Sequence, residues 1–363
     1  MSGRLRAGVI GLGWAGQQHI SAYAESPDVD LVALAGMEPD QLQVLGDAYG
    51  VALDHRYADW PALISGAELD VVSVATPTTL HHAVVIAALD AGLHVLSEKP
   101  IAENADRAQE MVEAAQRNNR VLDVSFNHRQ RGDVRALKQL IDDGMLGTVY
   151  YAKTGWLRRA GIPGLGSWFT RKATAGGGPL MDIGVHMLDM ALWLLGEPAV
   201  TSATASTFAR FGPFGRGGSV EATMRKTGVT AGSFDVEDLA TAFLRLGPDA
   251  TLLLESSWAQ WIPEDVAYVT VYGSAGGAAL EWGGTQEEPW RTMRVWTEIN
   301  GVAATLQPLI PPDGLHRACV RDFLAAVRGG DFGRHSGRDA LTRARVVDAC
   351  YDSAAQHREV ALT

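Results

Sequence analysis

A chain of 363 residues, 47% of them hydrophobic, has material for two cores and so for two domains. With 42 acidic against 31 basic side chains the formal net charge is -11, which argues against a nucleic-acid partner, since that would call for a basic face. No run is long and apolar enough to span a bilayer, and the two cysteines, Cys319 and Cys350, lack metal-ligand or redox spacing and fit a reducing, cytoplasmic compartment. Arg4 and Arg6 precede an apolar run as in a signal peptide, but no small-residue cleavage pattern follows and glycines punctuate the run.

The first element is the apolar run Leu5 to Ile10, read as a buried parallel strand. It feeds Gly11-Leu12-Gly13-Trp14-Ala15-Gly16 and then a helix pattern from Ala15 to about Glu25. This is G-x-G-x-x-G in a strand–turn–helix setting. Gly11 makes the tight turn, Gly13 lets backbone approach a pyrophosphate, and Gly16 lets helix pack on strand. The amides of Trp14 and Ala15 open the helix and face the phosphates.

A second strand, Leu31 to Ala35, is followed by Gly36-Met37-Glu38. An acid near this point holds the ribose hydroxyls of NAD, whereas a 2′-phosphate calls for Arg or Lys. Glu38 is the only nearby acid before Pro39, and no basic residue lies between Gly36 and Gly50, so NAD is favoured over NADP. The other reading of Glu38 is a solvated residue opening the next helix.

Strands at 70–75 and 94–97 flank a helix from Leu80 to Ala91. This alternation implies a parallel, doubly wound sheet whose ligands lie at the carboxyl ends of the strands. That rule gathers Gly11 to Gly16, Glu38, Thr76, Pro77, His81, Glu98 and Lys99 along one crevice. Lys99, directly after a buried strand and before Pro100, is placed to hold a substrate oxygen as hydride leaves; an ion pair with Glu98 that shapes the loop is the plainer alternative. A last strand, 121–126, leads to Asn127, His128 and Arg129.

Beyond it come a helix from Asp133 to Asp142 and a strand from Gly147 to Arg158 bearing Trp156 and Arg158. The loop Gly161 to Lys172 contains Trp168, whose indole suits stacking on a sugar ring or filling an interface; Trp156 is the weaker candidate for that stacking. Gly176-Gly177-Gly178 then runs into an apolar helix pattern in which Asp182 and His186 stand four apart, on one face. The plain reading is a helix cap and a core histidine. The chemical reading is an acid steering a general base, with the glycines letting backbone pass close to substrate.

Strand-like segments follow at 201–208, 237–246, 250–260, 267–273, 278–282 and 291–298, close enough in sequence to favour antiparallel pairing. The glycine-rich segment Phe211 to Gly232 reads as a mobile loop. Two helices, 315–327 and 338–356, present one apolar face each, and His316 opens the first. His81, His82, His94 and the Asp182/His186 pair have no H-E-x-x-H or cysteine cluster to organise them, so no metal is expected.

Together, G-x-G-x-x-G at the start, Ala75-Thr76-Pro77-Thr78-Thr79-Leu80-His81, the run from Ala91 to Glu98-Lys99-Pro100, and Asp182-x-Gly184-x-His186 resemble the Gfo/Idh/MocA oxidoreductases over essentially the whole chain. The resemblance implies an α/β protein with a Rossmann domain over residues 1–126. A second α/β domain over 127–363 would carry a large, mostly antiparallel open sheet, with the C-terminal helices packing back on the body. It implies NAD(P)-dependent hydride transfer to or from a secondary alcohol, hemiacetal or ketone of a sugar or cyclitol. Lys99, Asp182 and His186 become the catalytic residues. Gly11, Gly13, Trp14, Ala15, Gly16, Glu38, Thr76, Pro77, His81, Glu98, Lys99 and Asn127 become cofactor contacts. Substrate contacts fall to Lys99, His128, Arg129, Trp156, Arg158, Trp168, Asp182 and His186. A cis peptide before Pro100 and a homo-oligomer, dimer or tetramer, through the second sheet are implied as well. Two alternatives share the fold: an NAD-dependent glycoside hydrolase working by transient oxidation, and a non-enzymatic NAD(P)-sensing regulator. The departure from many NAD-using relatives is Gly36, where they carry an acid.

Overall fold

The computed structural model describes residues 3–218, 234–284 and 288–362. The chain divides into two compact units, Met1–Gln130 with Gly314–Ala344, and Arg131–Asp313 with Arg345–Thr363.

The first unit holds a six-stranded parallel sheet. Its strands are β1 (Leu5–Ile10), β2 (Val29–Ala35), β3 (Arg56–Tyr57), β4 (Val71–Val74), β5 (His94–Glu98) and β6 (Leu122–Ser125), in the order β3-β2-β1-β4-β5-β6. Every residue of β4 and β5 is buried, as expected of strands covered on both faces. Helices α1 (Trp14–Glu25), α2 (Pro39–Ala48), α3 (Trp60–Gly66), α4 (Thr78–Asp90) and α5 (Ala105–Arg117) make the crossovers. Asp59 and Asn104 cap α3 and α5 by accepting the N–H of Ala62 and Arg107, both at 2.9 Å. The helix Leu315–Gly329 returns to this unit. Its Val320, Phe323, Leu324 and Val327 share a core with Ile20, Tyr23 and Leu34, and it stops at Gly330 in the left-handed region.

The second unit is built on a nine-stranded sheet. Its strands are β7 (Val149–Leu157), β8 (Val200–Phe208), β9 (Leu239–Leu246), β10 (Ala250–Ser257), β11 (Val266–Gly273), β12 (Gly276–Gly284), β13 (Pro289–Ile299), β14 (Val302–Leu306) and β15 (Val360–Ala361). The order is β14-β13-β12-β11-β7-β10-β9-β8-β15, antiparallel except for the central pair β7 and β10. Alternate residues of one face, among them Ala152, Leu252, Leu254, Val269, Val271, Leu280 and Val295, enter a core with helix α6 (Gly132–Asp142), helix α8 (Val185–Leu194) and the end of the helix Arg338–Gln356. A short helix α7 (Lys172–Ala175) precedes the glycine run.

The parallel and antiparallel sheets agree with the sequence expectation of fold class. Strands β3, β14 and β15 are additions to it. β3 and β15 are two-residue edge pairings and β14 is an alanine-rich, largely exposed edge strand, so none carries a strong apolar period. Of the glycine-rich segment, Gly212–Phe214 forms a one-turn helix anchored by Asp238, which accepts the N–H groups of Phe211 and Gly212; the part from 219 to 232 lies outside the described residues. No helix among the described residues is long and apolar enough to cross a membrane.

Candidate active site

In the first unit the candidate residues gather where the parallel strands end. Gly11 has φ +95°, and a Cβ there would lie 2.3 Å from the carbonyl oxygen of Ala75. A Cβ on Gly16 would lie 1.9 Å from the Gly11 oxygen. Both glycines therefore serve close backbone packing. Gly13 differs: its Cβ would meet nothing within 4 Å, and no side chain caps the helix that it opens. The bare N-terminus of α1, with Trp14 and Ala15 as its first residues, thus faces open space, which fits a dinucleotide pyrophosphate. Trp14 is 68% exposed and stands edge-on to His316, ring centroids 5.3 Å apart.

Glu38 is exposed and directly precedes Pro39 at the start of α2. Gly36, at the end of β2, sits against Leu12: a Cβ there would come within 2.5 Å of Leu12 Cδ1. Packing thus accounts for the missing acid at 36. Thr76 and Pro77 form the turn into α4. His81 is buried and its ring bridges two loops, with Nδ1 2.8 Å from the oxygen of Pro100 and Nε2 2.9 Å from that of Thr76. Burial, against the two carbonyls, pushes its pKa down. The side chain expected at the cofactor therefore ties the Thr76 loop to the Lys99 loop. The Lys99-Pro100 peptide is cis, as the resemblance implies.

Glu98 is 7% exposed and fully engaged. Its Oε1 lies 3.0 Å from His19 Nε2 and 3.5 Å from His316 Nε2, and its Oε2 accepts the N–H of Lys99 at 3.3 Å. Burial alone would raise the Glu98 carboxyl; the hydrogen bonds and charges of the two histidines outweigh it and hold the group below the usual carboxylate range. Asn127 is buried in the turn Asn127–Gln130, His128 follows half-buried, and Arg129 pairs with Asp339 at 3.3 Å while lying over the ring of Phe126.

In the second unit the stretch Leu180–Gly184 is π-helical and continues into α8, where the sequence suggests one regular helix. Asp182 does not cap it. Its Oδ2 accepts the indole N–H of Trp258 at 3.0 Å, and Trp258 is fully buried among Ile162, Leu165, Ile183 and Phe234. The capping role falls to Glu237, whose carboxylate accepts the N–H of Gly178 at 3.0 Å, the N–H of Leu180 at 3.1 Å and the hydroxyl of Tyr351 at 2.9 Å. Burial raises the Glu237 pKa, against these donors. The glycines serve this packing: a Cβ on Gly177 would meet the Tyr351 hydroxyl at 2.0 Å, and one on Gly178 the Glu237 oxygen at 2.1 Å.

His186 is 7% exposed, and the ring of Trp156 lies 6.3 Å from it. Arg158 lies over Trp156 at 5.1 Å and donates to the Gly161 oxygen at 3.2 Å. Trp168 stacks on Phe169 with centroids 3.8 Å apart, so one of its faces is already covered. Sequence reasoning missed His19, Glu237, Trp258 and Tyr351. His19 follows Gly16 by three residues on the buried face of α1, a spacing that could have marked it; the others are brought in from distant strands and helices with no local signal.

A family model described as "Oxidoreductase family, NAD-binding Rossmann fold" matches residues 5–126, and one described as "GFO/IDH/MocA C-terminal domain" matches 134–279. The chain is 33% identical over 360 residues to D-glucoside 3-dehydrogenase of Escherichia coli K12, covering 97% of this chain and 96% of that one. It is 27% identical to inositol 2-dehydrogenase of Rhizobium meliloti 1021, covering 99% of each. The crystal structure of aldose-aldose oxidoreductase from Caulobacter crescentus superposes with a TM-score of 0.80 at 26% identity, covering 99% of this chain and 100% of that one. With its glycine cradle, Glu98-Lys99-Pro100 loop and Asp182/His186 helix, the chain belongs to the GFO/IDH/MocA family and is an NAD(P)-dependent oxidoreductase.

Proposed function

We propose that the enzyme interconverts a secondary alcohol and a ketone, or a hemiacetal and a lactone, on a sugar, sugar derivative or cyclitol, with NAD preferred over NADP. The observation that carries this reading is a buried imidazole, His186, four residues after a carboxylate, Asp182, whose orientation Trp258 fixes. The relatives' names, a glucoside dehydrogenase and an inositol dehydrogenase, support the substrate class.

Bound dinucleotide supplies the hydride acceptor or donor. Gly13 with the amides of Trp14 and Ala15 would hold its pyrophosphate, Gly11 and Gly16 shaping the turn beneath it, and Glu38 would take the ribose hydroxyls. In the oxidative direction a ring nitrogen of His186 accepts the proton of the substrate hydroxyl, and Asp182 stabilises the imidazolium that forms. The ammonium of Lys99 donates to the reacting oxygen and favours its alkoxide character as hydride departs. In reduction the same groups act in reverse. The second sheet supports a homo-oligomer: the face opposite its core carries Tyr151, Phe243, Leu253, Tyr268, Tyr272 and Trp296, more apolar surface than a solvated sheet needs. The two free cysteines, unpaired in the structure, support a cytoplasmic setting.

The test is a screen of glycosides, aldoses, polyols and inositols with both cofactors, read by absorbance of the reduced nicotinamide. His186→Ala and Lys99→Ala should each lower turnover by ~10²-fold or more while NADH binding, followed by fluorescence, persists. Near-normal turnover in both variants would refute the assignment.

A further inference from the structure

Beneath the Lys99 loop lies a buried group that the proposed reaction does not use. His19 is fully buried and His316 nearly so, and both rings aim Nε2 at one oxygen of Glu98. One proton can be assigned by elimination. An ionised carboxylate only accepts, so Nε2 of His19 carries a hydrogen. Its Nδ1 lies 2.8 Å from Ser73 Oγ, and Ser73 Oγ lies 2.9 Å from the Tyr23 hydroxyl. Every polar atom along the line Tyr23, Ser73, His19, Glu98 is satisfied. The line ends on the second oxygen of Glu98, which accepts the peptide N–H of Lys99.

We propose that Glu98, braced by His19 and His316, is a positioning residue for Lys99: its carboxylate fixes the Lys99 peptide and thereby the direction in which the ammonium is presented. The role rests on the reading of Lys99 as the group that holds the reacting oxygen. A buried carboxylate is costly unless it is fully hydrogen-bonded. Here it is bonded on both oxygens, by two elements distant in sequence, α1 and the helix Leu315–Gly329, and by the adjoining peptide of Lys99. The brace holds the end of β5, so the residue that follows has little freedom. Ligand atoms of the three side chains also lie within 4.8 Å of one another, a spacing that a divalent cation could bridge. The hydrogen-bonded assignment is favoured because it leaves no ring nitrogen of His19 and no oxygen of Glu98 without a partner.

Glu98→Gln tests the proposal. The amide keeps the shape but turns an N–H₂ toward a histidine or peptide donor. We expect kcat to fall about 10-fold, with KM for the dinucleotide within about two-fold of wild type, on the sugar or polyol that gives the highest turnover in the screen. His316→Phe, which keeps the ring and removes one donor, should lower kcat by about 3-fold and serves if Glu98→Gln fails to fold. In the Lys99→Ala background either change should have no further effect on kcat, because Glu98 acts through Lys99. The same fold-loss with and without Lys99 overturns the proposal. So does unchanged kcat in the Glu98 and His316 variants while Lys99→Ala is slow. Normal turnover of Lys99→Ala instead removes the reading of Lys99 and the positioning role with it. Zinc retained stoichiometrically by the wild-type protein through chelator dialysis, and lost in Glu98→Gln, overturns the hydrogen-bonded brace in favour of a metal site.

Discussion

The indole N–H of Trp258 donates to Asp182 Oδ2 at 3.0 Å, joining a buried apolar cluster at the end of β10 to the π-helical turn ahead of His186. A carboxylate that must steer an imidazole gains from an orientation fixed by a second partner, as ligating and catalytic groups elsewhere do. Trp258→Phe keeps most of the packing and removes only the donor. Turnover should fall about 5- to 10-fold, with NADH affinity unchanged, by steady-state kinetics and fluorescence titration. Wild-type kcat in this variant would show that Asp182 needs no such partner.

Glu237 holds the start of the same helical segment. Glu237→Ala would strand the N–H groups of Gly178 and Leu180 in a buried setting. Each unsatisfied donor costs ~1–3 kcal/mol, so unfolding free energy should drop by ~2–6 kcal/mol, measurable by urea denaturation. Turnover should fall as well, since Asp182 and His186 ride on that segment. A loss of stability below ~0.5 kcal/mol would mean that water or backbone takes over the cap.

The glycines of the first loop separate packing from ligand binding. Gly16→Ala would force a Cβ to 1.9 Å from the Gly11 oxygen, so the folded yield should collapse. Gly13→Ala meets open space and has a backbone that alanine adopts, so its melting temperature should match wild type. Its NADH affinity should nevertheless fall about 10-fold or more, because the methyl occupies the approach of the pyrophosphate. Undiminished affinity in Gly13→Ala would place the dinucleotide elsewhere.

A pH dependence of stability follows from His335. Its Nδ1 lies 3.0 Å from both oxygens of Asp123, and that hydrogen bond, ahead of the opposing burial, raises the histidine pKa. The folded state therefore binds the proton more tightly than the unfolded chain. The stabilisation is fully present below the unfolded value of about 6.5 and is lost as pH rises through the folded value. Melting temperature should decline as pH rises above about 6.5 more steeply in wild type than in His335→Gln. Parallel profiles for the two proteins would exclude the pair as a source of pH dependence.

The sequence by itself determined the parallel sheet, the glycine cradle, the lysine after β5 and the Asp182/His186 spacing. Each is a local matter: strand and helix periods, glycines where backbone must approach backbone, and residues fixed to the end of an element. Tertiary structure decided what those residues touch. Asp182 stands near the start of its helical pattern and reads as a cap. Glu237 takes that role instead, from a position 57 residues beyond the Leu180 amide that it accepts and just ahead of β9. Gly36 reads as a missing acid, and the side chain of Leu12 explains it. His81 reads as a cofactor contact, and two carbonyl oxygens claim its ring. Hydrogen-bond partners and packing depend on which distant segments the sheets bring together, and no period along the chain encodes that.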